Sequence, residues 1–387
     1  MKATIDALLR IIGEPHLNEH IAFDAASVPD PQRFPFSIDD AFLLCERLCN
    51  EQALKYVGAH ANRRPRFAIL DSASGSAYAV WTPGTADDWV IFSTALFQRL
   101  YAQCLLVGTA LSSEVSFLPG VDTGVLTEIR SVVTNELIPS DLVVELLFHA
   151  TITQIVGHEL GHHAYGHDAE YAKLGLSAAP DEATEWAASL ALNQSDLDLH
   201  ALELAADHSG LEWLIGFLSG YKDDRIKSLL LPSHRRMSFC AMAVVCTYAG
   251  LGAKAWGKSE ISTGKHPVAS IRCYAMLRLL RHLLRVASGL QPADNLDEAW
   301  WGGTFLAADV IGSFRLMPTL DEGPDASSSA FVVTLHDSLD MVGLKRVFFD
   351  EATLNPYLAE LHKRWKVLRN RCRPRWRVSE PLPPMPD

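Results

Sequence analysis

His158-Glu159-Leu160-Gly161-His162 decides what kind of protein this chain can be. Residues four apart on a helix lie on one face, about one turn apart. Two imidazoles placed this way can share one zinc ion. The glutamate between them then sits beside the ion's open position, where it can take a proton from water. A chance match of this pentad would usually fall on a solvated helix face, and the flanks argue against that. Pro139-Ser140-Asp141 carries the signals of a helix start. Residues 142–157 are then mostly Leu, Val, Ile, Phe and Ala, so the helix should be largely buried. Ionisable groups on a buried helix need partners, and a metal supplies them.

A third ligand is needed, and two stretches offer one. Just downstream lies His163-Ala164-Tyr165-Gly166-His167-Asp168. The pattern H-E-x-x-H-x-x-G-x-x-H would need glycine where Tyr165 stands and histidine where Asp168 stands. Gly166 and His167 are each one residue out of register. The other stretch is Glu203-Leu204-Ala205-Ala206-Asp207. Its two acids are again four apart on a helical pattern, flanked by Leu202, Leu204, Ala205, Ala206 and Leu211. Glu203 is the candidate third ligand. Asp207 is placed to orient a ligand histidine from behind.

At this point the chain resembles the gluzincin peptidases of the HtpX and CAAX-prenyl-protease type. The likeness rests on H-E-L-G-H with a following G-H, on E-x-x-A-D, and on two further stretches. His266-Pro267-Val268-Ala269-Ser270-Ile271-Arg272 is similar to an H-P-x-x-x-x-R element. Ser76-Ala77-Tyr78-Ala79-Val80, followed by Trp89–Leu96, is similar to an N-A-F-A strand with the strand and helix after it. More distantly, the chain is similar to the soluble Lit-type phage-exclusion peptidases. The resemblance implies His158, His162 and Glu203 as zinc ligands, Glu159 as general base and Asp207 behind a ligand. It implies His266 at the oxyanion and Arg272 in the acidic network. It also implies a substrate contact at Ser76, Ala77 and Tyr78, although Ser76 stands where the family has Asn.

The expected fold is α+β, mostly helical, a zincin-like metallopeptidase with a small sheet beside the active-site helix. Residues 1–65 read as an N-terminal helical region and 66–287 as the peptidase core. Residues 288–387 read as a C-terminal helical region with a basic tail. Within the core, 66–95 read as two strands around Pro83-Gly84 and 96–112 as a helix. The acidic stretch 168–199 reads as a helical insertion that could act as a lid or stand plainly in solvent.

Composition narrows the setting. The 387 residues are 48% hydrophobic, enough for a sizeable core. Seven cysteines at irregular spacings suit free thiols in a reducing compartment. The opening residues lack a long apolar core, so the expected location is cytoplasmic. Residues 237–253 carry no charge but fall short of the ~20 residues needed to span a bilayer, so a buried helix is expected there. The net charge is −12, yet residues 363–377 hold eight basic residues and no acid, which leaves −20 elsewhere. With Trp365 and Trp376 inside it, that run offers a nucleic-acid contact. Docking on the chain's own acidic body, or plain solvation, is the favoured expectation. The enzyme alternative is thus a nucleic-acid-associated regulator with a structural zinc site. All candidate catalytic residues lie between 158 and 272, so the tail is expected to be separable from the site.

Overall fold

The computed structural model describes residues 38–70, 75–81, 86–111, 139–173, 194–221, 224–230, 233–251, 267, 269–288, 296–317, 332–335 and 351–376. Helix α1 (Ile38–Ala53) leads through a short 3-10 turn (Gly58–His60) into β1 (Arg64–Leu70), β2 (Ala77–Trp81) and β3 (Asp87–Ser93). Then come α2 (Thr94–Leu111), α3 (Ser140–Tyr165), α4 (Asp168–Lys173), α5 (Gln194–Ser219), α6 (Asp224–Leu230) and α7 (Ser233–Leu251). After them come α8 (Ala269–Ser288), α9 (Leu296–Ser313), the hairpin strands β4 (Phe314–Met317) and β5 (Val332–Leu335), and α10 (Glu351–Leu368). The fold is α+β and mostly helical, with one small three-stranded sheet beside α3.

The sheet runs in the order β1-β3-β2, with β1 parallel and β2 antiparallel to β3. Three strands therefore occupy the stretch that the sequence divided into two. The unbroken apolar run Phe67-Ala68-Ile69-Leu70 hid the division, because strands buried on both faces do not alternate. β1 ends at Leu70, and Gly75, ahead of β2, takes φ +70°, a region that favours glycine. β2 ends the sheet among the described residues.

α3 is the centre of the molecule. It is buried along nearly its whole length and packs against α1, α2, α5, α7, β2 and β3. Its apolar residues point outward in every direction, as expected of a helix wrapped by neighbours. The closest neighbour is α5, which runs antiparallel to it. Two glycines set that approach. A Cβ on Gly161 would lie 2.7 Å from the Ser209 Cβ, and one on Gly210 would lie 2.5 Å from the Gln154 carbonyl oxygen. The helices are close enough for the Ser209 hydroxyl to donate to the Gly157 carbonyl at 2.9 Å. Gly161, inside the pentad, is thus required by packing, while its neighbours carry the chemistry.

α3 stops at Gly166, which is left-handed (φ 71°) and donates to the carbonyls of His162 and His163. This is the usual glycine stop. The uncharged part of α7, residues 237–251, is buried inside the bundle. Among the described residues no helix is long and apolar enough to cross a membrane. All seven cysteines are buried free thiols.

The basic tail is not a separable appendage. Arg364 pairs with Asp198 at 2.7 Å, Arg371 lies 3.8 Å from Glu170, and Arg375 pairs with Asp168 at 2.9 Å. Main-chain bonds run from the Arg375 N–H to the Ala164 carbonyl and from the Val57 N–H to the Arg375 carbonyl. The Arg375 guanidinium also donates to the His163 carbonyl at 2.7 Å. The tail therefore closes the C-terminal end of α3. These contacts agree with the favoured expectation that the basic run docks on acidic groups of the same chain.

Candidate active site

Helix periodicity puts His158 and His162 on the face of α3 that meets α5. Their Nε2 atoms lie 3.1 Å apart. From α5, the Glu203 carboxylate comes to 3.4 Å from His158 Nε2 and 3.5 Å from His162 Nε2. Metal bonds of roughly 2.0–2.1 Å in a tetrahedral site put ligand atoms about 3.3 Å apart. The three separations match that spacing, and two imidazoles with a carboxylate are a donor set that zinc accepts. Glu159 is buried beside them, with ligand atoms of His158, Glu159 and His162 all within 4.8 Å of one another. The two Glu203 oxygens each stand near ligand spacing from one ring, Oε2 from His158 and Oε1 from His162. The buried residues therefore fit a metal ion.

Each histidine is held from behind. His158 Nδ1 lies 3.0 Å from Asp207 Oδ1. Arg272, from α8, grips that same carboxylate with two bonds, Nε to Oδ2 at 2.9 Å and Nη2 to Oδ1 at 2.6 Å. Burial pushes the Asp207 carboxyl up, but the Arg272 charge and the hydrogen bonds from His158 and Arg272 hold it below its ordinary value. It is an acceptor at neutral pH. Arg272 also stands over the Tyr248 ring at 5.3 Å. On the other side, His162 Nδ1 lies 2.9 Å from His167 Nδ1 and 3.3 Å from the Tyr171 hydroxyl. That hydroxyl donates to Glu203 Oε1 at 2.8 Å. Burial above all keeps the His167 ring neutral.

His167 thus approaches the back of His162, away from Glu203's face of the ring, and Asp168 is engaged by Arg375. Neither occupies the ligand position that an H-E-x-x-H-x-x-G-x-x-H pattern would give it. The misplaced glycine has a structural counterpart, since Gly166 ends the helix one residue later than that pattern requires.

The face of α3 that carries Glu159 also carries His163, four residues on, and it meets the sheet. His163 Nε2 contacts the Trp89 carbonyl at 2.9 Å, and Trp81 packs edge-on against His163. Ala77 and Tyr78 begin β2 and Ser76 directly precedes it, each 2% exposed or less. Ser76 exchanges both main-chain bonds with Ser93, its N–H to Ser93 Oγ at 2.8 Å and its carbonyl from the Ser93 N–H at 2.9 Å. In an antiparallel pair the main-chain groups alternate in direction. Those of Ala77 and Ala79 therefore point to the outer edge, and those of Ser76 do not. His266 lies outside the described residues, as does most of the 168–199 insertion. The structure describes that insertion only as α4 and the start of α5.

Sequence reasoning missed Tyr171 and the supporting role of His167. The signal was present, since the two are four apart and must share a side of the turn that follows α3. It also missed a buried charge cluster. Asp88 accepts from Tyr56 at 3.2 Å and from Arg63 at 2.5 Å, with Arg375 Nε at 3.5 Å. These residues come from three separate stretches, so no local pattern could join them.

A family model described as Peptidase U49 matches residues 129–284, less than half of the chain. It spans α3, α5 and most of α8, which together hold His158, Glu159, His162, Glu203, Asp207 and Arg272. The match supports a peptidase, in line with the Lit-like similarity, and carries nothing about the HtpX or CAAX-prenyl-protease type. No curated protein and no solved structure matches the chain.

Proposed function

We propose that the chain is a zinc-dependent endopeptidase of the gluzincin kind, acting on a protein substrate in the cytoplasm. The observation that carries this is the meeting of His158, His162 and Glu203 at metal-ligand spacing, with Glu159 beside them. A zinc ion held by those three residues would supply Lewis acidity, polarising a scissile carbonyl and making water acidic enough to attack it. Glu159 takes the proton from the attacking water and passes it to the leaving amine. Asp207 keeps the hydrogen of His158 on Nδ1, so that Nε2 presents its lone pair. Arg272 keeps Asp207 ionised and aimed. The resemblance gives His266 the oxyanion. An extended substrate would add to the outer edge of β2 through the main chain of Ala77 and Ala79, which requires that the buried edge open.

The test pairs metal content with cleavage. Purified parent and Glu159→Gln should each hold one zinc per chain by elemental analysis. Only the parent should cleave denatured protein substrates. Absence of zinc from the parent, or cleavage by Glu159→Gln at the parental rate, overturns the proposal.

A further inference from the structure

We infer that Tyr171 and His167 form a positioning pair that fixes the hydrogen of His162 and ties the two helices of the metal site together. This rests on the zinc-peptidase reading above.

A tyrosine hydroxyl has one hydrogen to give and lone pairs with which to accept. Tyr171 gives its hydrogen to Glu203 Oε1, because an ionised carboxylate can only accept. Toward His162 Nδ1, at 3.3 Å, the same oxygen can then only accept. The hydrogen of His162 is therefore on Nδ1, and its Nε2 carries the lone pair that faces Glu203 and His158. With that hydrogen in place, His167 Nδ1, 2.9 Å from the same atom, shares it as a second acceptor. One hydroxyl thus links a candidate ligand on α3 to a candidate ligand on α5, and it selects the tautomer that coordinates.

Neither ring is free to turn away. His167 is sandwiched between Tyr165, stacked at 5.7 Å, and Trp365 of α10, edge-on at 5.5 Å. The Tyr171 ring lies 5.6 Å from Trp81 of β2. Both rings are fully buried. The sheet, the bundle and the C-terminal helix therefore converge on the orientation of one imidazole.

The experiment measures zinc affinity, by competition with a chromophoric chelator, and melting of the metal-free protein. It compares the parent with Tyr171→Phe, His167→Leu and His167→Asn. Tyr171→Phe keeps the ring and removes the hydroxyl, and should weaken zinc binding by roughly 10–100-fold while the metal-free protein melts like the parent. His167→Leu should weaken it similarly. His167→Asn places an amide oxygen where Nδ1 was, and should restore binding to near the parental level. Parental affinity in both Tyr171→Phe and His167→Leu, with zinc bound by the parent, overturns the inference and leaves the peptidase proposal standing. A loss matched by unfolding of the metal-free variants, or not rescued by His167→Asn, reduces the pair to packing and also overturns it. A parent that binds no zinc removes both proposals.

Discussion

Asp207 Oδ1 stands 3.0 Å from His158 Nδ1, and the same oxygen takes a 2.6 Å bond from Arg272 Nη2. One buried carboxylate therefore serves an imidazole and a guanidinium at once. Asp207→Asn should weaken zinc binding by about 10–100-fold. Asp207→Ala should in addition destabilise the fold by roughly 3 kcal/mol, because buried Arg272 loses both bonds to its nearest carboxylate and keeps only Glu203 at 4.0 Å. Chelator competition and chemical denaturation separate the two effects. An Asp207→Ala protein as stable as the parent would show that water reaches Arg272.

Glu203→Ala should abolish most zinc binding and leave the helical content unchanged. The outcome contrasts with His167→Ala, which should retain weakened binding. Elemental analysis after dialysis against a fixed zinc buffer distinguishes them. Full occupancy in Glu203→Ala would move the third ligand elsewhere.

Gly210→Ala should be costly although alanine is a better helix former. The new methyl meets a main-chain oxygen of Gln154, which cannot swing aside. Overpacking of this kind costs about 1–3 kcal/mol, and relief of the clash would part α3 from α5. Lower stability and weaker zinc binding should appear together. Gly216, with open space around it, is the control, and Gly216→Ala should be neutral or mildly stabilising.

Arg375→Ala should destabilise by roughly 1–3 kcal/mol, since it removes the buried guanidinium's bond to the His163 carbonyl and its pair with Asp168, while Asp88 keeps Arg63. Truncation before residue 363 should lower the melting temperature further and weaken zinc binding, because Trp365 is removed from His167. Neither the full chain nor the truncated one should bind RNA or DNA. Salt-sensitive nucleic-acid binding by the full chain, lost on truncation, would restore the tail as a contact surface.

Burial lowers the pKa of His208 from 6.5 to about 4. The unfolded chain takes up a proton near pH 6.5 that the folded chain refuses until about pH 4. The stability from this group is therefore present above pH 6.5 and is lost as pH falls toward 4, by up to roughly 3 kcal/mol. Denaturation curves across that window should show the slope, and His208→Gln should flatten it.

The α+β class, the long buried helix with its start at Ser140, and the separate acidic helix were legible in the sequence. So were the two histidines and the glutamate of the pentad. Each depends on a period or a spacing within one element, and helix geometry converts such spacing into a shared face without help from the rest of the chain. That Gly161 serves packing was not legible, because the residue it admits, Ser209, is 48 positions away.

Only the tertiary structure decided how the pieces meet. It brought Glu203 to 3.4 and 3.5 Å from the two imidazoles, because α5 packs antiparallel on α3. The same packing leaves His167 behind one of them. It turned Ser76 inward and Ala77 outward through the register of β2 on β3. It also brought Arg375 and Trp365 onto the end of the helix more than 190 residues before them. Contacts between distant segments depend on the summed packing of every element between them, and a local pattern carries no record of that sum.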